Sequence, residues 1–170
     1  AWFGLRYGKA FALPVSEAFL VEHPLFDEDF LLVRPQAQHD DPVPTVDDLR
    51  DMPLLLLEEG HCFRDQAISF CKLPLALSGE IMEGSSLSTL VQMVGAGIGI
   101  TLIPEMAVPV ETRSAQVSIA RFPAPSPSRT IGMIWRNATP LVRQLRQIAD
   151  VIHACTAPMR EQAEGGTGRP

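Results

Sequence analysis

At 170 residues, 46% hydrophobic and 20% charged, the sequence carries enough apolar side chains for a sizeable core and reads as a globular protein. A formal net charge of −6 argues against nucleic-acid binding through a basic face, and no apolar run approaches the ~18 residues that would cross a membrane. An odd number of cysteines, and an N-terminus without the charged-then-apolar order of a signal peptide, point away from an exported disulfide framework and toward a reducing cytoplasm.

In chain order, Phe30-Leu31-Leu32-Val33 reads as a strand. Thr45-Val46-Asp47-Asp48-Leu49 reads as the start of a short helix with Thr45 or Asp47 at its cap. Pro53-Leu54-Leu55-Leu56-Leu57 is a short buried strand, Gly60 a turn, and Phe63 to Cys71, free of Pro and Gly, a helix. Leu87 to Val94 is an amphipathic helix capped by Ser85 or Ser86 and broken at Gly95 and Gly97. Strands at Ile98 to Ile103 and Ile131 to Trp135 follow, then a helix from Pro140 to Ala154. Such alternation predicts an α/β fold with mainly parallel pairing. The tail from Thr156 to Pro170, with its Gly165-Gly166-Thr167-Gly168, is expected to be disordered.

Cys62 and Cys71 bracket the helix that follows Gly60. Nine positions apart on one helix, they lie on opposite faces with Cα atoms roughly 13 Å apart. A disulfide needs Cα atoms within about 7 Å, so the two can join only if the helix unwinds. A thiol pair separated in one conformation and joinable in another has the form of a redox switch. Cys62 at a helix N-terminus feels the unpaired backbone N–H groups, which favour a thiolate. His61 and Arg64 add cationic neighbours and Asp65 opposes them. The thiolate attacks peroxide, and the resulting sulfenic acid condenses with a second thiol. The plain alternative is that both cysteines are inert small core residues.

The run from Leu54 through Gly60-His61-Cys62-Phe63-Arg64-Asp65-Gln66 to Phe70-Cys71 resembles the redox segment of the OxyR-type hydrogen peroxide sensors, a branch of the LysR-type transcriptional regulators. Ser85 to Pro104 is similar to the helix-loop-strand of LysR-type effector domains, and Ser128 to Arg136 and Pro24 to Glu28 also match. The resemblance runs from about residue 12 to about residue 155. It implies a periplasmic-binding-protein-like (type 2) effector domain of two Rossmann-like lobes with the first lobe incomplete. Residues 1–26 and 130–155 would be the remnant of lobe I, and 27–129 would be lobe II carrying the switch. The helix-turn-helix DNA-binding domain would be absent.

On that resemblance Cys62 is the peroxidatic and Cys71 the resolving cysteine, with His61, Arg129, Asp65 and Gln66 binding peroxide or stabilising the thiolate. Read without it, Arg129 is a surface arginine at a strand start, His61 a helix-leading residue, and Asp65 and Gln66 candidates for capping. The resemblance further implies a homodimer or homotetramer, DNA binding only through the absent domain, RNA polymerase as a partner in activation, and reset by a cytosolic dithiol reductant. No cofactor is implied. The remaining readings are a LysR-type effector domain that binds a small metabolite in the interlobe cleft, with incidental cysteines, and a thiol peroxidase. The second lacks a peroxidase-type motif around Cys62.

Three other patterns lead nowhere. Gly95-Ala96-Gly97-Ile98-Gly99 follows a helix and precedes a strand, the reverse of a dinucleotide loop. A phosphatase cradle needs an arginine six residues after its cysteine, and position 68 is Ile68. His61, Cys62, Cys71, His153 and Cys155 lack zinc-site spacing. Cys155 reads as a bystander, and His23 and His39 as exposed.

Overall fold

Leucine and isoleucine runs too short for helices become the centre of a sheet. In the computed structural model, which describes residues 20–71 and 82–165, strand β2 (Leu54–Leu57) is buried at every position, as is β4 (Ile100–Pro104). Strands buried on both faces read as continuous apolar runs rather than alternation. Four further strands complete a six-stranded sheet: β1 (Leu20–Pro35), β3 (Glu83–Gly84), β5 (Val117–Ala120) and β6 (Ser128–Arg136). Their order is β3-β2-β4-β1-β5, with β6 pairing β1.

The pairing corrects the expectation of a mainly parallel sheet. β2 runs parallel to β3 and β4, but β1 runs antiparallel to β4, with Phe30 opposite Pro104, and antiparallel to β5. The reason lies in β1, which is 16 residues long rather than the four apolar residues that mark it in the sequence. Its first half, Glu22-His23-Pro24-Leu25-Phe26-Asp27-Glu28, carries acidic residues and a proline that hide a strand from any hydrophobicity reading.

Helix α1 (Cys62–Phe70) follows β2, α2 (Leu87–Gly95) follows β3, and α3 (Val108–Glu111) and α4 (Val142–Gly165) complete the helices among the described residues. Ser86 caps α2 by accepting from the Thr89 amide at 3.1 Å. At the other end Gly97 (φ +78°) closes a Schellman motif, with the Gly97 and Ile98 amides bonded to the Val94 and Met93 carbonyls. The glycine run is a helix stop. The helix expected from Thr45 is instead a 3-10 turn at Asp48–Asp51. Thr45 and Asp48 cap one another across it, and four residues hold only one such turn.

The described residues divide into two compact units, one within 28–129 and the other made of 20–27 with 130–165. In the first, Phe30, Leu32, Val33, Leu55, Leu90, Val91, Ile100 and Ile103 form the centre of the core. In the second, Trp135 is buried and stacks at 5.7 Å on the ring of His23, which also meets His153 edge-on at 6.0 Å. His23 is thus half-buried rather than exposed, because strand geometry turns it toward those rings. His39 is exposed. Helix α4 continues to Gly165, where disorder was expected from Thr156. Met159-Arg160-Glu161-Gln162-Ala163-Glu164, which follow Pro158, are all good helix formers. Residues 1–19 of the expected lobe I remnant and 166–170 of the tail lie outside the described residues.

Candidate functional site

The turn Glu58-Glu59-Gly60-His61 delivers the chain from β2 into α1, and Gly60 makes it with φ +100°, a region open to glycine and strained for other residues. Cys62 is the first helical residue and is exposed. His61, extended and exposed, occupies the N-cap without a side-chain capping bond. The amides of the first turn therefore have no side chain of His61 competing for them, and their partial positive charge stands beside Cys62.

At the other end, Cys71 is the C-cap, with its amide bonded to the Ala67 carbonyl at 2.9 Å and its side chain fully buried. Burial pushes its thiol up to about 11, against the opposing influence of the Arg50 guanidinium. A thiol so placed is protonated and unreactive while the helix stands. The nine-residue helix Cys62–Phe70 keeps the two cysteines roughly 13 Å apart, well beyond disulfide reach.

Arginines hold this helix on both sides. Arg129 donates through Nε to Glu28 at 2.7 Å and through a terminal nitrogen to the side-chain Oε1 of Gln66 at 3.2 Å, so β6 is tied to the first turns of α1. Its guanidinium also lies over the rings of Phe30 and Phe63, at 5.8 and 5.6 Å. Glu28, 6% exposed, additionally accepts from the Met106 amide. Arg64 is buried and donates to the Leu57 carbonyl at 2.7 Å and to Glu83 at 2.5 Å. This corrects the expectation that Arg64 offers its charge to Cys62, because the side chain turns inward and is paired with Glu83. Asp65 is exposed in the first turn, where a carboxylate suits the helix dipole. Gln66 caps nothing; it is buried and accepts from Arg129.

A cavity of about 250 Å³ is lined by Phe30, Gln66, Ser69, Phe70, Ser128 and Arg129. Of the residues expected at the site it takes in Gln66 and Arg129, while Cys62, His61 and Asp65 are exposed and stand outside its lining. Glu28, Arg50, Phe63 and Glu83 shape the site without having been foreseen. Only the position of Glu28, beside an apolar strand and with no basic neighbour, hinted at a buried carboxylate. Among the described residues no three His, Cys, Asp or Glu side chains are grouped to hold a metal ion, and Cys155 is exposed and free.

The family model for the LysR substrate binding domain matches residues 5–155. A probable hydrogen peroxide-inducible genes activator from Mycobacterium leprae is 42% identical over 146 residues, which are 83% of this chain and 46% of that relative. The DNA-binding transcriptional dual regulator OxyR of Escherichia coli K12 is 44% identical over 143 residues, 82% of this chain and 46% of its own length. The chain thus spans about half the length of the curated relatives it matches. Among solved structures, the reduced OxyR regulatory domain of Pseudomonas aeruginosa superposes with a TM-score of 0.68 at 34% identity, covering 84% of this chain and 70% of that one. A cysteine mutant of Corynebacterium glutamicum OxyR, bound to hydrogen peroxide, gives 0.71 at 31% identity over 84% of this chain and 46% of that one. The expected periplasmic-binding-protein-like α/β fold is the one found. With the helix, its two cysteines and these likenesses in place, the chain belongs to the LysR substrate-binding domain family, in its OxyR branch.

Proposed function

We propose that this chain is the redox-sensing regulatory domain of a LysR-type transcriptional regulator that responds to hydrogen peroxide. The observation that carries the reading is the opposed setting of the two cysteines: Cys62 exposed at the start of α1, Cys71 buried at its end. The Cys62 thiolate attacks one peroxide oxygen, the O–O bond breaks, and hydroxide leaves with the second oxygen. The sulfur is oxidised to a sulfenic acid and the peroxide is reduced. Unwinding of α1 then exposes Cys71, whose thiol attacks the sulfenic sulfur. The S–S bond forms, the S–O bond breaks and water departs. In this reading His61 and Asp65, both exposed close to Cys62 in sequence, meet the approaching peroxide, and Arg129 and Gln66 hold the helix from the side of the sheet.

The bond traps a remodelled segment, so covalent chemistry biases an element with two arrangements. In the whole protein this shifts how copies pair as a homodimer or homotetramer, repositions DNA-binding domains outside this chain and recruits RNA polymerase. A cytosolic dithiol reductant resets the switch, and the cytoplasm is where it works. One event per reduction makes it a sensor rather than an enzyme.

Mass spectrometry of a non-reducing digest after one equivalent of hydrogen peroxide tests the reading. A Cys62–Cys71 cross-link with Cys155 free supports it; unmodified cysteines, or oxidation spread over all three, would contradict it. The second reading, binding of a small metabolite, rests on the cavity beside Arg129. It predicts ligand-dependent thermal stabilisation that survives loss of both cysteines.

A further inference from the structure

The last carbonyls of a helix have no partner within it. In α1 the carbonyl of Cys71 has found one: Arg50 donates to it through Nε at 3.2 Å. Arg50 stands on a rigid base. Its 3-10 turn, Asp48–Asp51, is anchored by Leu49, 1% exposed. The turn is further fixed by the Thr45 amide bonded to the Asp48 carboxylate at 2.8 Å and by the Asp48 amide bonded back to the Thr45 hydroxyl at 3.4 Å. A terminal nitrogen of Arg50 also pairs with Asp47 at 3.3 Å, which orients the guanidinium. A cation at a helix C-terminus is favourable in itself, and this one grips the backbone of the residue that the switch has to release.

We propose that Arg50 is a positioning residue of the switch: a latch on the Cys71 carbonyl that slows delivery of Cys71 to the oxidised Cys62. This rests on the redox reading above. The chemistry is the second step of that scheme, in which the Cys71 thiol attacks the Cys62 sulfenic sulfur, the S–O bond breaks and water leaves. Arg50 touches neither sulfur in this step. Its charge also favours a Cys71 thiolate, but that influence belongs to the buried site and ends once Cys71 has left it. Release precedes attack, so the latch governs the rate.

The test separates the two steps in the 170-residue chain. Sulfenic acid formation is timed by trapping with a dimedone-type reagent, and disulfide closure by rapid acid quench and alkylation. Arg50→Ala is expected to leave the first rate within twofold of the parent and to speed closure about fivefold, the size of a charged hydrogen bond weakened by partial exposure. Arg50→Lys keeps a cationic donor within reach of the carbonyl and returns closure toward the parent rate. In the reduced protein, hydrogen exchange at the Cys71 amide rises by a similar factor in Arg50→Ala. Closure that is unchanged or slower in Arg50→Ala, or a lysine variant as fast as the alanine one, would overturn the latch while leaving the redox reading intact. A parent chain that forms no Cys62–Cys71 bond would overturn the redox reading and the latch with it.

Discussion

The two ends of α1 carry the same side chain in opposite surroundings. At the N-terminal end Cys62 is open to solvent as the first residue of the helix, behind the turn that Gly60 makes. At the C-terminal end Cys71 is sealed in the core, its thiol pushed up to about 11 by burial. Position on the helix, rather than local sequence, therefore decides which of the two thiols solvent reaches. The helix also works as a spacer, since the pair cannot meet while it stands.

Removing the open end should have the largest effect. Cys62→Ser is expected to abolish the peroxide-dependent cross-link and any conformer that depends on it, read by a non-reducing digest and by limited proteolysis. Cys71→Ser should instead leave the first step intact and let the sulfenic acid go on to sulfinic acid, a mass gain confined to the Cys62 peptide.

Loosening the frame comes next. Arg129→Ala leaves the Glu28 carboxylate buried without its cation and should lower the urea stability by about 3 kcal/mol. The buried end gives the pH signature. The Cys71 thiol is raised in the folded state relative to the unfolded one, so its contribution to stability is full below about pH 9. It is lost as pH rises through about 11. A loss of about 3 kcal/mol across that window is expected from this group, and Cys71→Ala should flatten that part of the stability profile. The smallest change tests the turn. Gly60→Ala meets no neighbouring atom but must adopt φ +100°, and should cost about 1 kcal/mol in thermal unfolding.

Much of this was legible in the residues. The Leu54–Leu57 run, the proline- and glycine-free stretch to Cys71 and the serine before Leu87 fixed β2, α1 and α2 to within a residue or two. So did the spacing that keeps Cys62 from Cys71. Side-chain direction was not legible. Arg64 and Arg129 are both arginines near the helix, and only the packed structure shows that one turns inward to Glu83 while the other spans Glu28 and Gln66. Nor was the length of β1, because a half-buried strand with Pro24 and four acidic residues has no hydrophobic period to read. Partners distant in the chain, such as Arg50 for Cys71, leave no trace in local pattern.

Hydrogen exchange of the α1 amides, followed by mass spectrometry before and after one equivalent of peroxide, tests the central claim most directly. The account predicts that protection across residues 63–70 is lost together with the appearance of the Cys62–Cys71 bond and returns on reduction. A bond that forms while those amides stay protected would contradict it, because the two sulfurs would then have met without the helix giving way.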